Sequence, residues 1–140
     1  MFLMDIKEVK RLRVFMDLSA EELDNLYPLL RTVRVIEGEE FIKWGDEAYS
    51  LFIILQGHFM IHFKDGRAIT VHEKGSILGW SAIKTPFRYT GHVTALTEGS
   101  LLCIHGTKFL ELFQANAVLG EKLLKKINEI ISERYKGKTI

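Results

Sequence analysis

Histidine is the side chain most often recruited for metal and proton chemistry near neutral pH, and this chain has five. In His58-Phe59-Met60-Ile61-His62 the two imidazoles share one face of a strand. Four strand residues span about 13 Å, too far for one ion to join them. A metal-binding β-roll enzyme of the cupin type would need His-x-His with a later Glu and His, and that pattern is absent. The histidines are therefore expected to face solvent or be satisfied internally, and no metal is expected. Ser81 follows Trp80, but Gly79-Trp80-Ser81-Ala82-Ile83 lacks the second glycine of a nucleophile elbow. The single cysteine, Cys103, stands in Leu101-Leu102-Cys103-Ile104 and reads as a small core residue. No acid–base constellation stands out, so catalysis is not expected.

The elements around these residues fall into three blocks. In residues 1–31 two helices are predicted. Ile6, Val9 and Leu12 keep helical spacing over 5–16, and Ser19-Ala20-Glu21-Glu22 is a capping box that opens a second helix through Leu23, Leu26, Leu29 and Leu30. Pro28 either kinks that helix or marks its last turn. Residues 32–105 carry short apolar runs between glycine turns: 32–36, 41–42, 51–55, 58–63, 68–72, 92–96 and 100–104. Lys64-Asp65-Gly66-Arg67 is a hairpin signal. In residues 106–136 helical spacing returns, with Thr107 as a candidate cap for a helix holding Phe109, Leu110, Leu112 and Phe113. A longer helix follows over 118–135, with Leu119, Leu123, Leu124, Ile127, Ile130 and Ile131 as its stripe. The pattern predicts one mainly β domain over 1–140, a jelly roll with flanking helices.

Residues 34–113 resemble the cyclic-nucleotide-binding domain of catabolite-activator-type regulators. Gly38-Glu39, Gly45-Asp46, Leu51-Phe52-Ile53-Ile54-Leu55-Gln56-Gly57, Gly75-Ser76-Ile77-Leu78-Gly79 and Val93-Thr94-Ala95-Leu96 match family motifs in order. The resemblance implies a double-stranded β-helix roll and a phosphate-binding cassette at 75–93. In the family a cassette glutamate accepts from the ribose hydroxyl, and an arginine pairs with the cyclic phosphate. Aligned without a gap, the glutamate place holds Trp80 and the arginine place holds Tyr89. Losing both contacts weakens cyclic-nucleotide binding by roughly two to four orders of magnitude. The chain is thus similar to an atypical member with a degenerate cassette.

Two readings stay open at each cassette residue. Arg88 is either a rescued phosphate contact, if the loop slips by one residue, or a solvated loop arginine. Trp80 is either a pocket wall or plain core. A ligand, a cyclic nucleotide or another small anion, would lie near Gly79, Trp80, Ser81, Ala82, Arg88, Tyr89 and Thr90. If none binds, Trp80 and Tyr89 plug the pocket and the protein is an interaction module.

Composition bounds the partners. The chain has 140 residues, 47% hydrophobic and 26% charged, which is the balance of one globular domain. A net charge of +1 offers no chain-wide grip on nucleic acid. From residue 120 onward six basic residues meet three acidic ones, which reads as a solvated helix face. After Tyr135 there is no room for a recognition helix, so DNA binding is not expected. Residues 1–4 carry no basic leader and no apolar run reaches spanning length, so neither a signal peptide nor a membrane partner is expected. With one cysteine, the cytoplasm is the expected compartment. Leu123, Ile127 and Ile130 keep the spacing of a coiled-coil seam, so the last helix either packs on its own roll or joins a homodimer or partner protein.

Overall fold

The computed structural model describes residues 5–136. Residues 1–4 and 137–140, with the leader question and Lys138, lie outside the described residues, as do the side chains of 134–136. The helices are α1 (Ile6–Lys10), α2 (Ala20–Leu26), α3 (Gly106–Ala115) and α4 (Ala117–Lys136). Between α2 and α3 run β1 (Arg31–Val35), β2 (Glu40–Ile42), β3 (Ser50–Gln56), β4 (Phe59–Phe63), β5 (Ala68–Val71), β6 (Ile77–Leu78), β7 (Gly91–Ala95) and β8 (Gly99–His105).

The strands form two antiparallel four-stranded sheets, β1-β8-β3-β6 and β2-β7-β4-β5. This is the jelly roll with flanking helices that the sequence predicts. β8 lies between β1 and β3, and its first six residues are all buried, which explains the unbroken apolar run around Cys103. β4 alternates instead. Phe59 and Ile61 point into the roll while His62 faces solvent. The β4–β5 hairpin turns at Gly66, whose positive φ suits glycine, and the Phe63 amide donates to the Arg67 carbonyl at 2.8 Å.

Four local expectations change. The helix expected over 5–16 is α1 followed by a separate 3-10 turn, Arg13–Phe15. Leu12, Val14 and Phe15 are all buried, and a straight helix would send Leu12 and Val14 to opposite faces. Extended backbone at Leu12 turns all three inward. The second helix stops at Leu26, and Pro28 lies in a closing 3-10 turn, Tyr27–Leu29. Thr107 caps nothing: α3 begins at Gly106, and the residue before it, His105, supplies no side-chain cap. The Gly106 amide donates to the Tyr49 carbonyl at 2.9 Å, so strand register sets this helix start. Ile77–Leu78, expected only as part of the motif that opens the cassette, forms the two-residue strand β6.

α4 settles its apolar stripe on its own domain. Leu119, Leu123, Ile127 and Ile130 are buried within the chain, so the coiled-coil seam is used internally. α4 packs on α3, on β6 and on the Arg13–Phe15 turn. Ion pairs hold it to the N-terminal segment: Arg13 to Glu133 through both guanidinium nitrogens, Lys122 to Glu22 at 2.9 Å and Lys126 to Asp17 at 3.1 Å. Glu22 also completes the capping box, taking the Ser19 amide at 2.9 Å while its own amide donates to the Ser19 hydroxyl at 3.1 Å.

The Ser19 amide, and then Lys122, hold the Glu22 carboxyl below its ordinary range. A depressed carboxylate adds stability above its unfolded value and loses it as pH falls through the folded one. Urea unfolding should therefore show a gap between wild type and Glu22→Gln at pH 7 that narrows toward pH 3. Ser19→Ala should cost about 1 kcal/mol at pH 7.

Candidate functional site

The cassette hangs on Gly79. Its φ of +76° is left-handed, and a Cβ there would lie 2.7 Å from the Ser50 carbonyl oxygen and 3.3 Å from the Tyr89 ring. That bend starts a 3-10 turn, Trp80–Ile83, which buries Ser81 and Ala82 and leaves Trp80 half-buried. The Ala82 amide donates to the Gly79 carbonyl at 3.0 Å.

The returning limb runs beside the loop after β2. The Phe87 carbonyl accepts from Ala48 at 2.8 Å, the Tyr89 amide donates to Asp46 at 3.0 Å, and the Tyr89 carbonyl accepts from Gly45 at 2.9 Å. Glu47 and Arg88 form an antiparallel bridge. This short ladder imposes strand alternation, so Arg88 and Tyr89 leave on opposite sides.

Tyr89 turns inward and is buried. Its hydroxyl donates to the Ser50 carbonyl at 2.6 Å and accepts from the Ser50 amide at 3.2 Å. Arg88 turns outward and is half exposed. It donates to the Gly45 carbonyl at 3.0 Å, and its other nitrogen lies 3.9 Å from Glu47, whose carboxylate also takes the Tyr49 hydroxyl. In the structure Arg88 is an exposed loop side chain bonded to the loop after β2.

Between cassette and roll lies a cavity of about 90 Å³. Gly79, Trp80, Ser81, Tyr89 and Thr90 line it, with Trp80 in its wall. Ala82 and Arg88 do not line it. They border a separate groove of about 350 Å³ with Tyr49, Phe87, His105 and Leu110. Among the cavity-wall residues that sequence reasoning missed are Ile61, Phe63, Val93 and Ile131. The period-two alternation of β4 and β7 marks the first three as inward-facing. No comparable signal says that Ile131 of α4 reaches over the roll. None of the described lining residues is charged. Among the described residues, no group of three or more His, Cys, Asp or Glu is placed to hold a metal ion, and no helix is long and apolar enough to cross a membrane.

The cyclic nucleotide-binding domain model matches residues 32–116. No curated protein sequence matches the chain. Among the solved structures that share its fold are three that illustrate its range. A candidate cyclic nucleotide-binding protein from Geobacter metallireducens GS-15 is 21% identical, with TM-score 0.85 over 94% of this chain and 98% of that one. A cyclic nucleotide-binding domain from Methylobacillus flagellatus KT is 19% identical, with TM-score 0.77 over 96% and 82%. The regulatory subunit of a cAMP-independent protein kinase A from Trypanosoma brucei is 19% identical, with TM-score 0.68 over 94% and 46%.

Burial pushes the Tyr89 hydroxyl above its ordinary pKa of 10.0, against the hydrogen bond to Ser50. A raised value in the folded state gives stability that is present below the unfolded pKa and is lost as pH rises through the folded one. Alkaline titration of wild type should show a loss of stability beginning near the ordinary tyrosine range that Tyr89→Phe lacks. At pH 7 Tyr89→Phe should cost about 1–2 kcal/mol in urea unfolding, because it strips partners from both polar groups of Ser50.

Proposed function

This chain belongs to the cyclic nucleotide-binding domain family, and we propose that it is a non-catalytic regulatory module whose central pocket is closed to cyclic nucleotides and whose output element is α4. The observation that carries this reading is the uncharged cavity of about 90 Å³ beneath Tyr89. Pockets for ligands of nucleotide size run to about 300–1,000 Å³. A cyclic phosphate entering here would meet a tyrosine ring in the arginine's place, while Arg88 is turned to Glu47 and the Gly45 carbonyl, and Arg67, over the ring of the cavity residue Phe63, is paired with Asp65. Expelling Tyr89 would break both of its bonds to Ser50. A domain of this fold need not answer to cyclic AMP: the Trypanosoma relative is the regulatory subunit of a cAMP-independent kinase.

α4 suits the output role because it is the element shared by cavity and surface. Ile131 lines the cavity, and Lys122 and Lys126 tie the same helix to the N-terminal segment. With Leu123, Ile127 and Ile130 turned inward, a homodimer or partner protein would meet the other face of α4, where Val118 is exposed. The near-neutral charge favours a protein partner over DNA. The buried thiol of Cys103 suits the cytoplasm.

A second reading keeps a weak or atypical anionic ligand in the cavity, smaller than a nucleotide and held by backbone near Gly79 and Ser81. Calorimetric titration with cyclic AMP and cyclic GMP separates the outcomes. The closed pocket predicts no saturable heat up to about 1 mM, and a Kd below about 100 µM would overturn it. Trp80→Glu with Tyr89→Arg, which restores the family's two polar contacts, should raise cyclic-nucleotide affinity by about tenfold or more over wild type.

A further inference from the structure

The sheet β2-β7-β4-β5 turns its inner face to the core and its outer face away from it, and the outer face carries four of the five histidines. Along β4 the two imidazoles of His58 and His62 are too far apart to share an ion. Across the strands the distances differ. Phe59 pairs with Val71, so the next rung of the same hairpin sets His58 opposite His72. Directly opposite residues hold their Cβ atoms about 4.5–5.5 Å apart. The two rings are found there, centroids 5.2 Å apart and planes 18° from parallel, both side chains exposed.

We infer that His58 and His72 form a two-histidine site for a late divalent transition-metal ion, Cu²⁺ before Ni²⁺ or Zn²⁺. A metal–nitrogen bond of about 2.0–2.1 Å puts the ion about 3.2 Å from each ring centre, so two imidazoles on one ion have centres about 4.5 Å apart as neighbours in a square plane and about 5 Å apart on a tetrahedron. The observed separation lies within about 1 Å of both before any backbone moves. The rings need only swing about their terminal torsions, which are soft for exposed imidazole. The backbone beneath is held: the His58 amide donates to the Thr97 hydroxyl at 3.1 Å, and the His58 carbonyl accepts from Leu96 at 2.8 Å. Much of the ordering entropy of chelation is therefore met by the fold.

Ligand chemistry selects the ion. Neutral imidazole suits copper, nickel and zinc, and affinity for a nitrogen site rises toward Cu²⁺. Magnesium and calcium want a set of several oxygen ligands, and among the described residues no carboxylates complete one with this pair. Among the described residues no third His, Cys, Asp or Glu completes the set, so water fills the remaining positions. The other cross-strand pair, His62 opposite His92, is a poorer candidate. His92 already accepts the Trp44 amide at 3.2 Å through Nδ1 and stands edge-on to the Trp44 ring.

The test is CuCl₂ titration of the whole chain at pH 7.5, by calorimetry and by electron paramagnetic resonance. Wild type should take up one equivalent with a two-nitrogen signature. His58→Asn and His72→Asn should each weaken that binding by about tenfold or more, while His62→Asn leaves it unchanged. Both positions are exposed, and equal melting temperatures would certify the folds. Binding that is the same in all four proteins, or none up to about 1 mM, would overturn the site. Either result leaves the closed cassette pocket untouched, because the two lie on different parts of the roll.

Discussion

The Tyr89 hydroxyl occupies both polar groups of the Ser50 backbone, and the cassette is arranged around that pair of bonds. Ser50 opens β3, the strand that pairs with both β8 and β6, so the contact joins the cassette to the centre of the roll. Gly79 makes room for it, since any side chain there would strike the Ser50 carbonyl and press on the Tyr89 ring. The Gly45–Ala48 ladder then forces Arg88 to the opposite side. One neutral, buried interaction thus closes the cassette onto β3. The ring fills space between cassette and roll, and the hydroxyl meets the polar demand of the Ser50 backbone.

α4 lies over the same region of the roll. In this chain the helix covers a small apolar cavity through Ile131 and is tied to the N-terminal segment by ion pairs with Asp17, Glu22 and Arg13. Exposed ion pairs are weak and screened by salt, whereas burial of Leu119, Leu123 and Ile127 is not. The apolar stripe therefore supplies most of the hold, and the ion pairs set the register of the helix on the N-terminal segment.

The outer face of the second sheet illustrates a different economy. It contributes nothing to the core, yet it gathers His58, His62, His72 and His92. A strand separates its own outward residues by two positions, while hydrogen-bonded neighbours bring distant residues within one rung. Pairings of this kind are invisible along a single strand and decided by register.

The elements of the roll were legible in the sequence because alternation and glycine turns are local signals. So were the capping box at Ser19, the hairpin at Gly66 and the stripe of α4. The same reading recognised the family from motifs in order, because these are questions of residue type at a position. It could not choose between a rescuing and a solvated Arg88. That choice turns on which side of a backbone ladder the side chain leaves, and the ladder's other strand lies about 40 residues away. Nor could it say that the α4 stripe folds back on its own roll, that Ile131 reaches the cavity, or that His58 meets His72 rather than His62. Type and periodicity are properties of neighbours in sequence; orientation, enclosure and pairing across strands are created only when distant segments pack.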